Sequence, residues 1–309
     1  MTVSKTRIKN ATGSMWVIQA ILVMFLWAAC FPLIMLGLQD APHLHFAALR
    51  ALLAGVVLLL VAVALRRPLP RDMKTWLQLG WIGLGATTLA FLGMFHASAF
   101  ISPGLATVIA STQPILAAVL GYLLLSERLD KFSVVGLIFG FAGIVLIAWP
   151  ETNNERTDYA MGLGYLLLAA MGITVSNVFI RRVAGSVDAI MAMAIHLLIG
   201  AVPLMLAAVV IEDTGDIVWT GEFIVSLLSL SLLGTAFACW LWCKVLETTE
   251  LYRANVFTYL VPALGLLMGV LFYDERIGIT MIFGVLLTLV SISLVNPKLM
   301  QFFRGNKNV

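Results

Sequence analysis

The sequence predicts an all-α membrane protein of ten transmembrane helices, built as two inverted five-helix repeats with both termini in the cytoplasm. Three observations lead to this fold class. The 309 residues are 61% hydrophobic and only 11% charged, with a mean hydropathy of +1.02, whereas soluble domains carry roughly 25% charged residues. The apolar residues form ten runs of membrane length, and the chain resembles itself at a shift of 148 residues.

The apolar runs define the predicted helices, because about 20 apolar residues cross roughly 30 Å of hydrocarbon. They cover residues 15–38, 44–65, 75–97, 101–125, 132–149, 161–180, 189–211, 223–246, 254–273 and 278–296. The first run is longer than the roughly 7–15 apolar residues of a secretory signal. It is therefore interpreted as a retained helix.

The basic residues predict the orientation. With the N-terminus in the cytoplasm, 16 of the 19 Lys and Arg residues lie in cytoplasmic segments or at the cytoplasmic ends of helices. Cytoplasmic loops of membrane proteins show this excess of Lys and Arg, so we expect a multi-pass protein of the inner membrane. The predicted organisation is a cytoplasmic tail at 1–14, repeats at 15–149 and 161–296, an outer linker at 150–160 and a cytoplasmic tail at 297–309.

The internal duplication is clearest in residues that seldom match by chance. Pro114 lies thirteen residues before Glu127, and Pro262 lies thirteen residues before Glu275. Each repeat contains five helices, an odd number, so the two copies have opposite topology. Inverted repeats of this kind occur in many secondary transporters, where they surround a site near the midplane.

These residues resemble the EamA-type members of the drug/metabolite transporter superfamily over residues 15–296. The similar positions are Trp27, the segments 46–50 and 102–106, Gln113 with Pro114, 125–129, 136–143, 261–262 and 274–277. The resemblance implies a ten-helix inner-membrane carrier for a metabolite or a drug. By the same resemblance, the first and sixth helices flank the central cavity. Ala28 departs from the family's usual glycine, and Met171-Gly172 stands where a tryptophan is common.

Polar residues near the midplane are the candidate cavity residues, because such groups are costly in lipid unless they face a cavity or a partner. The fourth helix offers Thr112 and Gln113 beside Pro114, and the ninth helix offers Asn255 and Tyr259 beside Pro262. Proline removes a backbone hydrogen bond and kinks the helix. An interhelical hydrogen bond is the alternative role for the amide side chains.

The remaining cavity candidates lie on the first, second, sixth and seventh helices. They are Trp27 with the kink residue Pro32, Arg50, Ser176 with Asn177, and His196. Arg50 and His196 occupy similar positions in the two repeats. Two interpretations of Arg50 stay open, namely snorkelling to the headgroups and binding a carboxylate or phosphate.

Charged pairs at helix ends predict structural or gating salt bridges. They are Glu127 with Arg128 and, in the second repeat, Glu275 with Arg276. No acidic residue lies deep in a predicted span, so proton coupling would need His96, His196 or an interfacial acid such as Glu127.

The sequence thus favours a secondary transporter that exports a small amino-acid-like metabolite by alternating access. A broad drug exporter is the alternative, and a membrane enzyme or a structural subunit fits less well. We expect no cofactor, no metal and no nucleic acid. His43 and His45 are interpreted as solvated loop residues, with metal binding as the alternative. Close glycines at 136–140 and 265–269 predict internal packing, with a homodimer as the alternative.

Overall fold

The chain folds into helices joined by short loops. The structure is a computed structural model that describes residues 15–97, 100, 103–148, 159–212, 217–273 and 278–296. The first five helices are α1 Met15–Gly37, α2 His43–Ala64, α3 Met73–Ala97, α4 with the pieces Pro103–Ala110 and Gln113–Leu125, and α5 Lys131–Ala148. The next five are α6 Tyr159–Val183, α7 Ala189–Ile211, α8 Gly221–Thr248, α9 with the pieces Leu251–Asn255, Val256–Tyr259 and Leu260–Tyr273, and α10 Ile279–Val295.

The predicted all-α membrane fold is confirmed. Within the described residues, nine helices are long and apolar enough to cross a membrane, and α10 is a shorter apolar helix of 17 residues. Large apolar side chains on the outside, such as Val210 and Leu271, expose more than half of their surface, as lipid-facing residues do. The main difference in length is α6, which continues to Val183 beyond the predicted end at residue 180.

Four of the spans are interrupted, and the interruptions follow the duplication. A π-helical segment Gly83–Leu89 lies inside α3, and a second one, Leu230–Phe237, lies inside α8. Their first residues are 147 positions apart, since 230 − 83 = 147. The helix α4 breaks at residues 111–112, and α9 contains the 3-10 segment Val256–Tyr259. Both kinds of interruption are frequent at functional sites or hinges.

Glycines allow α5 to approach α10, and α3 to approach α7, backbone to backbone. A Cβ atom on Gly143 of α5 would lie 2.6 Å from the carbonyl oxygen of Gly284 in α10. In the same way, a Cβ atom on Gly83 of α3 would lie 2.5 Å from the carbonyl oxygen of His196 in α7. Gly136 and Gly140 also face α9 and α10, so the small residues of α5 serve packing inside the chain.

Equivalent helices of the two halves make equivalent contacts with the opposite half. The helix α1 packs against α8 and α9, and its repeat counterpart α6 packs against α3 and α4. Two other counterpart pairs, α2 with α7 and α5 with α10, contact each other directly. Each half therefore completes the packing of the other. The inverted orientation of the halves, the cytoplasmic termini and the domain boundaries stay predictions.

Candidate functional site

Three amide side chains from three helices meet in the interior of the bundle. Nε2 of Gln113 donates a hydrogen bond to Oδ1 of Asn255 at 3.0 Å, and Nδ2 of Asn177 donates to the same oxygen at 3.1 Å. Nδ2 of Asn255 donates to the carbonyl oxygen of Leu251 at 2.8 Å. Asn255 is fully buried and Asn177 is 2% exposed. The amides of α4, α6 and α9 thus form one connected polar cluster.

A fourth helix joins the cluster through an indole. Nε1 of Trp242 donates to Oδ1 of Asn177 at 3.0 Å, and the ring of Trp242 lies 5.4 Å from that of Trp27 on α1. We call Gln113, Asn177, Trp242 and Asn255 the amide network. Trp242 is buried, which excludes the role of an anchor in the lipid headgroups. The sequence signal for this burial is helical spacing, because Trp242 lies four residues after Ala238 and three before Val245, on one buried face.

The helix breaks bring the network together. Gln113 is the first residue after the break in α4, and Pro114 follows it at a position where a helix needs no backbone donor. Thr112 lies in the break, and its hydroxyl donates to the carbonyl oxygen of Ile109 at 2.7 Å. Asn255 is the last residue before the 3-10 segment of α9. The two interruptions therefore lie on either side of one hydrogen bond.

The three predicted kink residues occupy different settings. Pro114 follows the break in α4, and Pro262 lies just after the 3-10 segment of α9. Pro32 lies inside α1, which continues as one helix to Gly37. A local interruption of the helix is therefore present at Pro114 and next to Pro262.

Ser176 and Tyr259 lie beside the network but bind elsewhere. The hydroxyl of Ser176 donates to the carbonyl oxygen of Ile82, immediately before the π-helical segment of α3, at 3.2 Å. The hydroxyl of Tyr259 donates to the carbonyl oxygen of Leu137 in α5 at 3.2 Å. Both side chains are fully buried. They hold neighbouring helices in place around the network.

Arg50 is buried among neutral partners. Its Nε donates to Oγ1 of Thr235 at 2.7 Å and its Nη2 to the carbonyl oxygen of Gly234 at 3.4 Å, both in the π-helical segment of α8. The guanidinium lies 5.1 Å from the ring centre of Phe91. Arg50 is 6% exposed, so it lies inside the bundle rather than among headgroups. Among the ion pairs of the described residues, none involves Arg50.

His196 and Glu127 occupy separate positions. His196 is buried where α7 meets α3. Glu127 follows α4, and its Oε1 accepts a hydrogen bond from the backbone N–H of Leu251 at 2.7 Å, so it caps the start of α9. Burial raises the pKa of the Glu127 carboxyl above its ordinary value, although the amide hydrogen bonds act in the opposite direction.

The predicted salt bridges at helix ends are not seen where they can be checked. In the described part of the chain, Glu127 binds backbone amides rather than a cation, and Arg128 is exposed. Glu275 and Arg276 lie outside the described residues. No set of three or more His, Cys, Asp or Glu side chains among the described residues is arranged to hold a metal ion.

Comparison with known proteins decides the family. The model of the EamA-like transporter family matches residues 14–149 and 160–296. The chain belongs to the EamA-like transporter family. It is 29% identical over 287 residues to "Uncharacterized transporter YvbV" of Bacillus subtilis (strain 168), covering 90% of this chain and 92% of that protein.

A further relative agrees with this assignment, and a solved structure shares the fold. The chain is 26% identical over 267 residues to a protein of Escherichia coli (strain K12) named "Probable amino-acid metabolite efflux pump", covering 84% of this chain and 87% of the relative. A solved crystal structure with 20% identity superimposes with a TM-score of 0.78, covering 91% of this chain and 98% of that one. The family expected from the sequence is therefore confirmed, and the chain is a multi-pass transporter of the inner membrane.

Proposed function

We propose that this EamA-like transporter exports a small amino-acid-like metabolite, and that the amide network binds the substrate during alternating access. The observation that carries the proposal is the meeting of three buried amides and an indole between the breaks of α4 and α9. A single amide bond between two helices would serve packing alone. A connected set from four spans, placed where two helices are interrupted, offers a substrate several donors and acceptors in one place.

The chemistry of the network suits a polar ligand with a small apolar part. An amide presents two N–H donors and a carbonyl acceptor, and the described bonds of Gln113 use one donor. A polar substrate can replace its hydrogen bonds to water, one at a time, by hydrogen bonds to these amide donors and acceptors. The rings of Trp27 and Trp242 lie at one side of the network and provide the apolar surface that most small-molecule sites contain.

The burial of Arg50 favours a substrate that carries an anionic group. A guanidinium inside a bundle is costly when its partners are neutral, and those of Arg50 are a hydroxyl, a carbonyl oxygen and the Cys30 thiol. A substrate carboxylate would supply the missing negative charge through a charge-assisted hydrogen bond. The name of the Escherichia coli relative, "Probable amino-acid metabolite efflux pump", agrees with a substrate that carries a carboxylate.

The internal duplication supports the proposal of alternating access. If the two five-helix halves adopt slightly different conformations, the molecule opens to one side, and exchanging the conformations opens it to the other. The cross-packing of α1 on α8 and α9 and of α6 on α3 and α4 supports such an exchange. Pieces of α4 and α9 would move about their breaks.

Transport by the purified chain in liposomes tests this function. We expect saturable flux of at least one amino acid or related metabolite. Asn255→Leu should reduce the flux at least about tenfold, because it leaves Gln113 and Asn177 without their shared acceptor, at a cost of roughly 1–3 kcal/mol per unsatisfied group. Thr174→Val is the matched control, since among the described residues the buried Thr174 hydroxyl on α6 bonds only to the carbonyl oxygen of Ala170.

The outcome that contradicts the proposal is absence of saturable flux for every metabolite tested, or an equal loss in both variants. Export of many unrelated apolar drugs without any metabolite flux would instead favour the drug exporter.

A further inference from the structure

Outside the amide network, one carboxylate and three imidazoles meet at an end of the bundle. Glu212 follows the last residue of α7, and its two oxygens lie 2.9 Å from Nδ1 of His43 and 2.9 Å from Nδ1 of His45. Nε2 of His43 lies 3.3 Å from Nδ1 of His96, near the end of α3. The basic residues predict that this end faces outside. The interpretation of His43 and His45 as solvated loop residues is wrong, because both contact a carboxylate that is 7% exposed.

Backbone donors complete the shell of Glu212. The N–H of Leu44 donates to Oε1 at 2.9 Å, and the N–H of His45 donates to Oε2 at 3.0 Å. These amides belong to the first turn of α2, where a helix has no internal acceptors for them. Four donors thus surround the carboxylate, and they join the end of α7 to the start of α2.

The protons on the imidazoles follow from this arrangement. An ionised carboxylate only accepts, so Nδ1 of both His43 and His45 carries a hydrogen. With neutral rings, Nε2 of His43 accepts from Nδ1–H of His96. Nε2 of His45 is buried and has no hydrogen-bond partner. In this state every ring is neutral, and the cluster carries one negative charge.

One added proton has a preferred position. His45 is closed to water, with a side chain that is 5% exposed, whereas that of His43 is 30% exposed. When the added proton binds Nε2 of His96, the hydrogen on Nδ1 of His96 passes to Nε2 of His43, which then donates back to Nδ1 of His96. The neutral bond between the rings becomes charge-assisted, and such bonds are roughly twice as strong. The imidazolium then faces Glu212, which balances its charge.

The other groups around the rings do not supply a competing charge. The ring of Tyr165 on α6 meets His96 edge-on, with centroids 4.8 Å apart. The carboxylate of Asp40, in the loop before α2, accepts from the hydroxyl of Thr220 at 2.6 Å. Asp213 and Asp216 lie outside the described residues. Within the described part of the chain, Glu212 is the acid that faces the imidazoles.

We propose that His43, His96 and Glu212 form a proton-binding site that makes transport depend on the pH at this end of the molecule. The bond between the two rings joins α2, and through Glu212 also α7, to α3. Proton binding strengthens this connection, and the end must open once in each transport cycle. Flux therefore falls as the pH on this side falls, a consequence that rests on the proposed function.

Proton binding is tested without transport, by imidazole NMR on the full chain in nanodiscs with ¹⁵N-labelled histidine. The sequence contains four histidines, so His196 is an internal reference. We expect His43 and His96 to titrate together, and Glu212→Gln to lower their midpoint by at least about one pH unit, a tenfold loss of proton affinity. Independent titration of the two rings, unchanged in Glu212→Gln, would overturn the site.

The link to transport is tested by flux in liposomes with the pH varied on this side only. Wild-type flux should fall about threefold or more between about pH 8 and about pH 5.5, the range in which imidazoles titrate. His96→Gln should flatten the profile, and Asp40→Asn, which removes an acid of the same end outside the cluster, should keep it. A flat wild-type profile, or an unchanged profile in His96→Gln, contradicts the link. If no substrate is moved at all, the proposed function fails, while the NMR titration still decides whether the proton site exists.

Discussion

At the level of single residues, we expect Arg50 to restrict the identity of the substrate most strongly. Its neutral partners on α8, together with Cys30 on α1, position the guanidinium without compensating its charge. Removing a cation from water costs several kcal/mol unless a counter-charge is near. A protein that retains such a residue for packing alone gains little, since an apolar residue of similar size would pack as well. A bound anionic substrate would supply the counter-charge that the protein lacks at this position.

Replacing Arg50 separates recognition of a carboxylate from general damage to the fold. We expect Arg50→Gln to reduce amino-acid flux by at least about tenfold, because losing one partner of a buried charged hydrogen bond costs roughly 2–5 kcal/mol. The amine that results from removing the carboxylate of the same amino acid makes no such bond to Arg50. Its flux should therefore change less than about twofold. Arg50→Lys keeps the charge and should retain part of the amino-acid flux. Equal losses for both substrates would show that Arg50 acts only on the fold.

At the level of helices, the interruptions position the amide network and Arg50, and the close glycines fix the packing of the helices beside them. The breaks in α4 and α9 bring Gln113 and Asn255 together, and the π-helical segment of α8 presents Thr235 and the carbonyl of Gly234 to Arg50. The contact between α5 and α10 is of another kind. It depends on Gly143 and Gly284, and it fixes the helices that flank the interrupted ones.

The α5–α10 contact gives a stability prediction with an internal control. Gly143→Ala places a methyl group against the carbonyl of Gly284, so the helices must separate, and overpacking of this kind costs roughly 1–3 kcal/mol. Gly265→Ala meets no atom within 4 Å and should stabilise α9 by roughly 0.5–1 kcal/mol. Thermal unfolding in detergent measures both. A lower melting temperature for Gly265→Ala than for Gly143→Ala would contradict the packing.

Local signals in the sequence predicted the helices and part of the site. Run length and hydropathy located all ten helices, and Pro114 marked the break in α4. The amides were predicted one by one, because a polar residue in a span stands out. Their joining to Trp242 was missed, since it depends on contacts between residues 65 and 78 positions apart. The cluster at Glu212 was missed for the same reason, because 168 positions separate Glu212 from Leu44.

At the level of the whole molecule, the two halves of the chain build one transporter. The family match spans both halves with a gap between residues 149 and 160, and the halves exchange equivalent contacts through α1 and α6. The amide network contains residues of both halves, with Gln113 from the first and Asn177, Trp242 and Asn255 from the second. Alternating access requires that one residue of this site becomes accessible from each side of the membrane in turn.

Two-sided accessibility of Thr112, in the break of α4, tests this demand most directly. The experiment uses the Thr112→Cys variant in a chain with Cys239 and Cys243 replaced by alanine and Cys30 by serine, which keeps an acceptor for Arg50. The thiol reagent is one that does not cross the membrane. We predict modification from either side and protection by a transported substrate, while Thr174→Cys stays unreactive. Modification of Thr112→Cys from one side only, with or without substrate, would contradict alternating access around the amide network.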